Sequence, residues 1–283
     1  MKVLVEVSSK DTINSIKADG VILALENYSV ESVCFFSLEE IEKIAKTTSL
    51  EVFVKLNKNF MNEDLEGLQE VLLSLNQMAI KGVFFYDLAV LELWKEHMLS
   101  FSLVWNQTHM VNNYKTCDYY YSKGVEYALL GKEITLEEVL EITKKSKIST
   151  MVEVVSRPSV AFSKRKLLTN FYQDMGKEIQ KDLVVTERGT KEDYHFIENK
   201  DGTSIFLNAI TNGTSVIKDL YDGGVSYIIL REYGLEEVFQ ELVLDTVHYI
   251  QSSCQDSTYV EKYKKLGDST NFFFRKTIYR VKK

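Results

Sequence analysis

Strand-like and helix-like segments alternate at least seven times along the 283 residues, and this alternation limits the fold more than any other feature. Short apolar runs at 3–7, 20–26 and 50–56 have strand composition, and amphipathic segments separate the later ones. Such alternation builds a parallel sheet, because parallel strands need a crossover connection between them. Right-handed crossovers leave two arrangements, an open doubly wound sheet and a closed barrel.

The length of the chain and one missing motif favour the closed barrel. No GxGxxG sequence follows the first strand, so a dinucleotide-binding open sheet has no support. A chain of 283 residues is near the usual size of an α/β barrel, about 250 residues. We therefore predict one α/β domain over 1–283, a TIM-type (β/α) barrel.

Local sequence patterns predict where two helices begin and where the alternation of strands and helices is interrupted. Ser37-Leu-Glu-Glu40 and Thr135-Leu-Glu-Glu138 each have the pattern of a capping box, which starts a helix. Residues 173–203 are polar and rich in turns, and we predict an insertion there, of hairpin or irregular type, after the seventh strand. A further barrel strand is predicted at 204–210, and 259–283 is predicted to be a C-terminal tail.

Composition excludes several classes of protein. A net charge of -7 argues against a protein that coats nucleic acid with its whole surface, although one basic face stays open. Cys34, Cys117 and Cys254 are far apart and form no CxxC pair, so neither a disulfide framework nor a metal site is predicted. With no signal peptide and no apolar run near the ~20 residues that span a bilayer, we expect a cytoplasmic protein without membrane contact.

Polar side chains follow the predicted strands, where a barrel carries its chemistry. The residues at these strand ends are Glu26, Asn27, Asn57, Lys58, Asp87, Asn106, Lys132, Glu133, Arg157, Ser159 and Arg231. Carboxylates, amides and cations that converge on one face suit an anionic or polar ligand. The alternative is that these loops are polar only because they lie at the surface.

Two of these residues are candidates for catalysis. Glu133 is a candidate base, a candidate acceptor for a ligand hydroxyl, or half of a salt bridge with a neighbouring cation. Ser159 is a nucleophile only if a base activates it, and otherwise a turn serine. His109 is the one histidine predicted near this face. The other histidines are predicted to be structural or solvent-facing: His97, His195 and His248.

Lys164, Arg165 and Lys166 form the densest positive cluster of an acidic chain, just after the seventh predicted strand. Cations grouped in this way bind phosphate, including the backbone of a nucleic acid. Phe162 and Phe171 flank the cluster and are candidates either for stacking on bases or for the core. The alternative is a solvated face that binds nothing, which is the usual role of such charge runs.

Several motifs resemble one known family. They are Trp105-Asn-Gln-Thr108, Asn113-Tyr-Lys-Thr-Cys117, Ala128-Leu-Leu-Gly-Lys-Glu133, Ser163-Lys-Arg165, Leu167-Leu-Thr-Asn-Phe171 and the tail Asn271-Phe-Phe-Phe. With them the chain resembles peptidase family U32, the collagenase-like peptidases, and most closely its short members from Gram-positive bacteria. The resemblance implies a barrel fold. It also implies one half of a paired tRNA uridine 5-hydroxylation system in which prephenate takes part, beside a longer paralogue.

The chain departs from that family at its cysteines. Ser156 stands where the family has glycine, Ser159 where it has its first cysteine, and Lys166 where longer members have another. Some branches of the family carry iron-sulfur clusters, which are held by cysteine thiolates. We therefore expect no cofactor held by this chain alone and no iron-sulfur cluster, with prephenate as the small molecule that the resemblance implies.

These observations lead to one primary function and two alternatives. The primary prediction is a subunit of a tRNA uridine 5-hydroxylation system that lacks the family cysteines, with tRNA and a longer paralogue as partners. The alternatives are a collagenase-like peptidase and a non-catalytic barrel that holds a small anion. The predicted catalytic residues are Glu133 and Ser159. The predicted substrate-binding residues are Asn106, Lys132, Arg157, Lys164, Arg165 and Asn170.

Overall fold

A closed parallel barrel forms the body of the protein. The computed structural model describes residues 1–107, 110–189 and 191–267. Within those ranges the barrel consists of eight strands: β1 (Lys2–Glu6), β2 (Gly20–Ala24), β3 (Glu51–Leu56), β4 (Gly82–Phe85), β5 (Ser102–Trp105), β6 (Tyr127–Leu129), β7 (Ser149–Ser156) and β13 (Tyr227–Arg231). Each strand pairs in parallel with the next, and β13 closes the ring between β7 and β1. The closed barrel is confirmed, and the open sheet is excluded.

Helices surround the barrel. They are α1 (Leu38–Thr47), α2 (Leu65–Leu75), α3 (Leu88–Glu96), α4 (Tyr114–Ser122), α5 (Leu136–Lys145), α7 (Ile217–Asp222), α8 (Phe239–Gln251) and α9 (Ser257–Tyr263). Both predicted capping boxes are confirmed, with Ser37 at the start of α1 and Thr135 at the start of α5. No helix in the described ranges is long and apolar enough to cross a membrane.

The barrel has two apolar layers because successive residues of a strand face opposite sides. One face of each strand packs against the surrounding helices, as Val3 and Val5 of β1 do. The other face fills the inside of the ring with Leu4, Ile22, Phe53, Phe84, Val104, Tyr127, Leu129, Met151, Tyr227 and Ile229. The interior is therefore a packed core, and any ligand site must lie above it.

The predicted insertion is a separate antiparallel sheet. It contains β8 (Ser159–Ser163), α6 (Leu167–Asp174), β9 (Asp182–Thr186), β10 (Asp193–Asn199) and β11 (Gly202–Leu207), with strand order β8-β11-β10-β9. Its strands thus extend beyond 173–203 on both sides. The barrel strand predicted at 204–210 is wrong, because β11 pairs with β8 and β10. A short strand, β12 (Thr211–Asn212), pairs antiparallel with β7 on the way back to the barrel.

Two ion pairs connect the turn between β10 and β11 to the strand ends of the barrel. Lys200 Nζ lies 2.8 Å from Glu26 Oε1, and Asp201 Oδ1 lies 3.5 Å from Lys58 Nζ. The exposed pair of Lys200 and Glu26 contributes less than about 1 kcal/mol, whereas Lys58 and Asp201 are partly buried, at 22% and 13% exposed. The two ion pairs hold the insertion over the carboxyl ends of the barrel strands. The tail motif at Asn271 lies outside the described residues.

Candidate ligand site at the barrel mouth

A cavity of about 750 Å³ lies between the strand ends and the insertion. The barrel forms its floor, and residues of β8 and β11 form part of its wall, among them Phe162 and Phe206. Ligand sites are typically concave and have volumes of about 300–1,000 Å³. The cavity therefore has the size of a site for a small molecule or a single nucleotide.

Most of the predicted site residues meet in this cavity. Its lining includes Asn106, Lys132, Glu133, Arg157, Ser159 and Lys164. Arg165 and Asn170 do not line it; both are exposed, Arg165 beside β8 and Asn170 on α6. The three residues expected to share one rim, Asn106, Glu133 and Arg157, do share it. Their chemical roles stay predictions.

A buried network of charges forms the floor of the cavity. Arg231 bridges two carboxylates, contacting Glu6 and placing its Nε 2.6 Å from Glu153 Oε2. Lys55 Nζ lies 2.7 Å from Glu6 Oε1, and Lys132 Nζ lies 2.6 Å from Glu153 Oε1. The side chains of Glu153 and Lys55 are each only 3% exposed. Every charge in this network has an opposite charge within contact, as burial requires.

The period of the strands explains where this network lies. Glu6 stands two residues after Leu4, and Glu153 two residues after Met151, so each points to the same side as the core residue below it. Lys55 and Arg231 follow Phe53 and Ile229 in the same way. The sequence prediction included Arg231 and Lys132 but missed Glu6, Lys55 and Glu153. A signal was available, namely a charge inside an otherwise apolar strand.

The network keeps both carboxylates ionised at neutral pH. Burial alone would raise the pKa of Glu153, but Arg231 and Lys132 hold it well below its usual value. For Glu6 the same opposition between burial and the neighbouring Arg231 and Lys55 leaves the pKa lowered. Glu6 and Glu153 are thus ion-paired with cations of the protein, so they act as structural anions rather than as proton donors.

Two buried atoms at the rim have no hydrogen-bond partner among the described residues. They are Oδ1 of Asn106, an acceptor, and Nε of Arg157, a donor. The Arg157 guanidinium lies 4.8 Å from the ring centroid of Tyr233, and its Nη1 lies 3.0 Å from His195 Nδ1. A buried polar atom without a partner costs about 1–3 kcal/mol. Both residues line the cavity, where a guanidinium suits an anionic oxygen and an amide suits a hydroxyl.

Ser159 and Lys164 contact the loops that follow β2 and β3. Ser159 Oγ donates a hydrogen bond of 2.6 Å to Glu31 Oε1, and Lys164 Nζ lies 3.4 Å from the carbonyl oxygen of Asn59. In this arrangement the group placed to accept the Ser159 proton is a carboxylate. His109, the one histidine predicted near this face, lies outside the described residues.

The charge around the cavity differs from that of the whole chain. The charged residues of its lining, all in the described ranges, are Lys55, Lys132, Arg157, Lys164, Arg231, Glu6, Glu31, Glu133 and Glu153. Five cations therefore face four carboxylates, although the chain as a whole carries a net charge of -7. This local excess of positive charge favours an anionic ligand.

The prediction that His195 is a structural or solvent-facing residue of the insertion misses its main contacts. Its side chain is only 16% exposed. Its Nδ1 contacts the hydroxyl of Tyr233 as well as Arg157, and its Nε2 contacts Asp182. His195 thus links the inner face of the insertion to two residues of the cavity, and the sequence gives no local signal for this contact.

Gly234 and Gly224 provide a matched pair that tests the packing of Arg157. Both have left-handed backbone, with φ of +84° and +85°. A Cβ at Gly234 would lie 2.6 Å from Arg157 Nη2, whereas a Cβ at Gly224 would meet nothing within 4 Å. We expect Gly224→Ala to cost about 1 kcal/mol of backbone strain. Gly234→Ala should cost about 1–2 kcal/mol more, because Arg157 is displaced from Tyr233 and His195.

Urea denaturation of the two glycine variants measures the difference directly. Equal losses of unfolding free energy would show that Arg157 is not held in the position described.

The three cysteines lie in separate parts of the fold. Cys34 follows β2, Cys117 lies within α4, and Cys254 follows α8, and the described residues form no group of potential metal ligands. Burial raises the pKa of Cys34 to about 11 and that of Cys117 to about 12. Both thiols are therefore protonated at neutral pH.

Comparisons with known proteins place the chain among relatives of one family. The sequence profile of peptidase family U32 matches residues 7–228. The chain is 23% identical to tRNA hydroxylation protein P2 of Bacillus subtilis (strain 168), over 93% of each chain. It is also 23% identical to tRNA hydroxylation protein P1 of the same organism, over 54% of this chain and 37% of that protein. The solved U32 peptidase Mk0906 aligns at 15% identity and a TM-score of 0.47, over 64% of this chain and 80% of that one.

Proposed function

We propose a function for this protein from one premise: the chain belongs to peptidase family U32. It acts as one subunit of a tRNA uridine 5-hydroxylation system. The observation that carries this proposal is the match to tRNA hydroxylation protein P2, which extends over 93% of both chains. A match of that extent includes the barrel and the insertion together, and therefore both walls of the cavity.

The rim of the cavity supports a small carboxylate as the ligand. Prephenate carries two carboxylates and a hydroxyl group. Arg157 and Asn106 both line the cavity, and their guanidinium and amide groups suit a carboxylate and a hydroxyl. Lys164 adds a cation from the side of the insertion. In this proposal these three residues hold prephenate, and the charged floor keeps its own ions paired below it.

The insertion supports tRNA as the macromolecular partner. Residues 159–207 hold eight basic and eight acidic side chains, so the net charge of -7 resides in the rest of the chain. Lys164, Arg165 and Lys166 are exposed beside the mouth of the cavity, and Phe171 on α6 is 57% exposed. Cations that meet phosphates and an aromatic ring that stacks on a base are the usual elements of single-stranded RNA binding. Arg165 thus has a role outside the cavity.

The partner in this proposal is a longer U32 paralogue. By the resemblance described above, Ser156 and Ser159 stand where the family has glycine and cysteine, and the three cysteines of the chain lie far apart. Any chemistry that depends on the family cysteines must then come from another chain. The similarity to both P1 and P2 motivates a pair in which this chain supplies the P2-like half.

Deletion of the gene tests the proposal. Removing it together with the gene of its longer paralogue should abolish hydroxylated wobble uridine in total tRNA, measured by mass spectrometry of nucleosides. Reintroducing this gene with the paralogue should restore the modification, whereas the paralogue alone should not. An unchanged level in the double deletion would refute the proposal. Mass spectrometry of the purified protein that shows a bound carboxylate but no effect on tRNA would favour the non-catalytic barrel.

The contact between Ser159 and Glu31 favours a peptidase as the second candidate. A carboxylate 2.6 Å from a hydroxyl could accept its proton and so activate it as a nucleophile. This candidate predicts gelatin cleavage that Ser159→Ala abolishes and that a metal chelator leaves unchanged. Cleavage that persists in Ser159→Ala would exclude this serine mechanism.

A further inference from the structure

We propose that Tyr233, His195 and Asp182 form a relay that carries a proton between the cavity and the solvent. Tyr233 follows β13 and lines the cavity, whereas His195 and Asp182 belong to β10 and β9 of the insertion. The relay therefore exists only where the insertion meets the barrel. The inference rests on the proposed function for its reaction, but the relay itself can be measured without that reaction.

The three side chains form one continuous chain of contacts. The Tyr233 hydroxyl contacts His195 Nδ1, and His195 Nε2 contacts Asp182 Oδ1. Tyr233 lines the cavity, His195 is 16% exposed, and Asp182 at the far end of the path is 67% exposed. The outer end can therefore exchange protons with water, and the inner end faces a ligand.

Arg157 fixes the direction of these hydrogen bonds. A guanidinium can only donate, and Arg157 Nη1 lies 3.0 Å from His195 Nδ1, so Nδ1 must be the acceptor. The proton of the neutral imidazole is then on Nε2, where it is donated to Asp182. This tautomer is the one in which Nδ1 can accept the proton of Tyr233, and a carboxylate orients the ring as in other acid–base triads.

Aromatic rings pack around the relay and restrain its side chains, and the Tyr233 hydroxyl stays protonated. The rings of His195 and Tyr233 stack with centroids 5.6 Å apart, and Phe206 of β11 packs edge-on against Tyr233 at 5.2 Å. The charged groups that act on Tyr233 are Arg157, Asp182 and Glu236. Burial raises the pKa of Tyr233 to about 12, against the lowering effect of Arg157, so its hydroxyl is protonated at neutral pH.

Loss of a proton from a ligand proceeds through this chain without any other reactant. The ligand proton bonds to Tyr233 Oη as the Tyr233 proton moves to His195 Nδ1, and the ligand keeps the electron pair. The imidazolium pairs with Asp182, and its Nε2 proton leaves to water through that exposed carboxylate. Because protonated Nδ1 no longer accepts from Arg157, the guanidinium becomes available to the negative charge left on the ligand. The reverse sequence delivers a proton to the ligand.

Three variants test the relay in extracts of the deletion strain supplemented with purified protein. Tyr233→Phe removes the hydroxyl and keeps the ring, and should slow uridine hydroxylation by about a hundredfold or more. Asp182→Asn should also slow it, because a neutral amide neither pairs with the imidazolium nor accepts its Nε2 proton. Tyr194→Phe is the matched control, since the Tyr194 hydroxyl contacts Glu192 within the insertion. It should react at the wild-type rate.

Nitrogen NMR of the His195 ring provides the readout that packing alone would not produce. The relay predicts the Nε2–H tautomer in the wild-type protein and in Tyr233→Phe, with tRNA binding unchanged by the substitution. An Nδ1–H ring in the wild type, or a wild-type rate for Tyr233→Phe, would overturn the relay. If the wild-type protein supports no hydroxylation, the proposed function fails while the NMR result still decides the relay.

Discussion

Arg231→Met should lower the free energy of unfolding by about 3–5 kcal/mol, the usual cost of removing one partner from a buried ionic network. Arg231 contacts both Glu6 and Glu153, and those side chains are only 8% and 3% exposed. Without the guanidinium, the cation left in contact among the described residues is Lys55 for Glu6 and Lys132 for Glu153. The carboxylates must then either stay charged with less compensation or take up protons, and both outcomes cost stability.

Lys200→Met serves as the matched control for this effect. It also removes a cation from an ion pair, but Lys200 and Glu26 are 54% and 49% exposed. We expect a loss below about 1 kcal/mol, because solvent screens such pairs. Chemical denaturation at neutral pH measures both variants. Similar losses for the two would show that the floor of the cavity is not the buried network described.

Arg157→Gln should weaken prephenate binding by about ten- to a hundredfold. A hydrogen bond to a charged group contributes about 1.5–3 kcal/mol, and each 1.4 kcal/mol is a factor of ten in affinity. Glutamine keeps a polar side chain of moderate length but loses the charge and the fork of donors. Titration calorimetry of the purified protein with prephenate gives the two dissociation constants.

The control for Arg157 is Arg165→Gln. Arg165 carries the same charge only eight positions away in the chain, but it is exposed and does not line the cavity. Its substitution should leave prephenate affinity unchanged and weaken tRNA binding instead. Equal effects of the two substitutions on prephenate would mean that the ligand does not bind at the barrel mouth.

The barrel could be predicted because its signals are local. Each apolar run that reads as a strand, such as 20–26 or 50–56, also pairs as one, and the capping boxes at Ser37 and Thr135 mark helix starts without tertiary information. The prediction of a barrel strand at 204–210 was wrong for a physical reason. A half-buried strand has the same composition whether it pairs in parallel inside a barrel or antiparallel in an insertion, so its partner is not encoded locally.

The site was predictable only in part, for a related reason. Strand ends of a barrel converge, so Asn106, Glu133 and Arg157 could be placed on one rim from the order of the strands alone. The contact of His195 with Tyr233 depends on how the insertion folds back over that rim, which no spacing in the sequence reveals. The charged floor of the cavity was predictable in principle. Glu6, Lys55 and Glu153 interrupt apolar strands and could have been recognised as inward-facing charges.

The most direct measurement is the level of hydroxylated wobble uridine in tRNA from the deletion strain carrying either the wild-type gene or its Arg157→Gln variant, with the paralogue present. If the cavity at the barrel mouth serves tRNA hydroxylation, the wild-type gene restores the modification and the variant, at equal protein level, does not. Full restoration by Arg157→Gln, or none by the wild-type gene, would contradict this account.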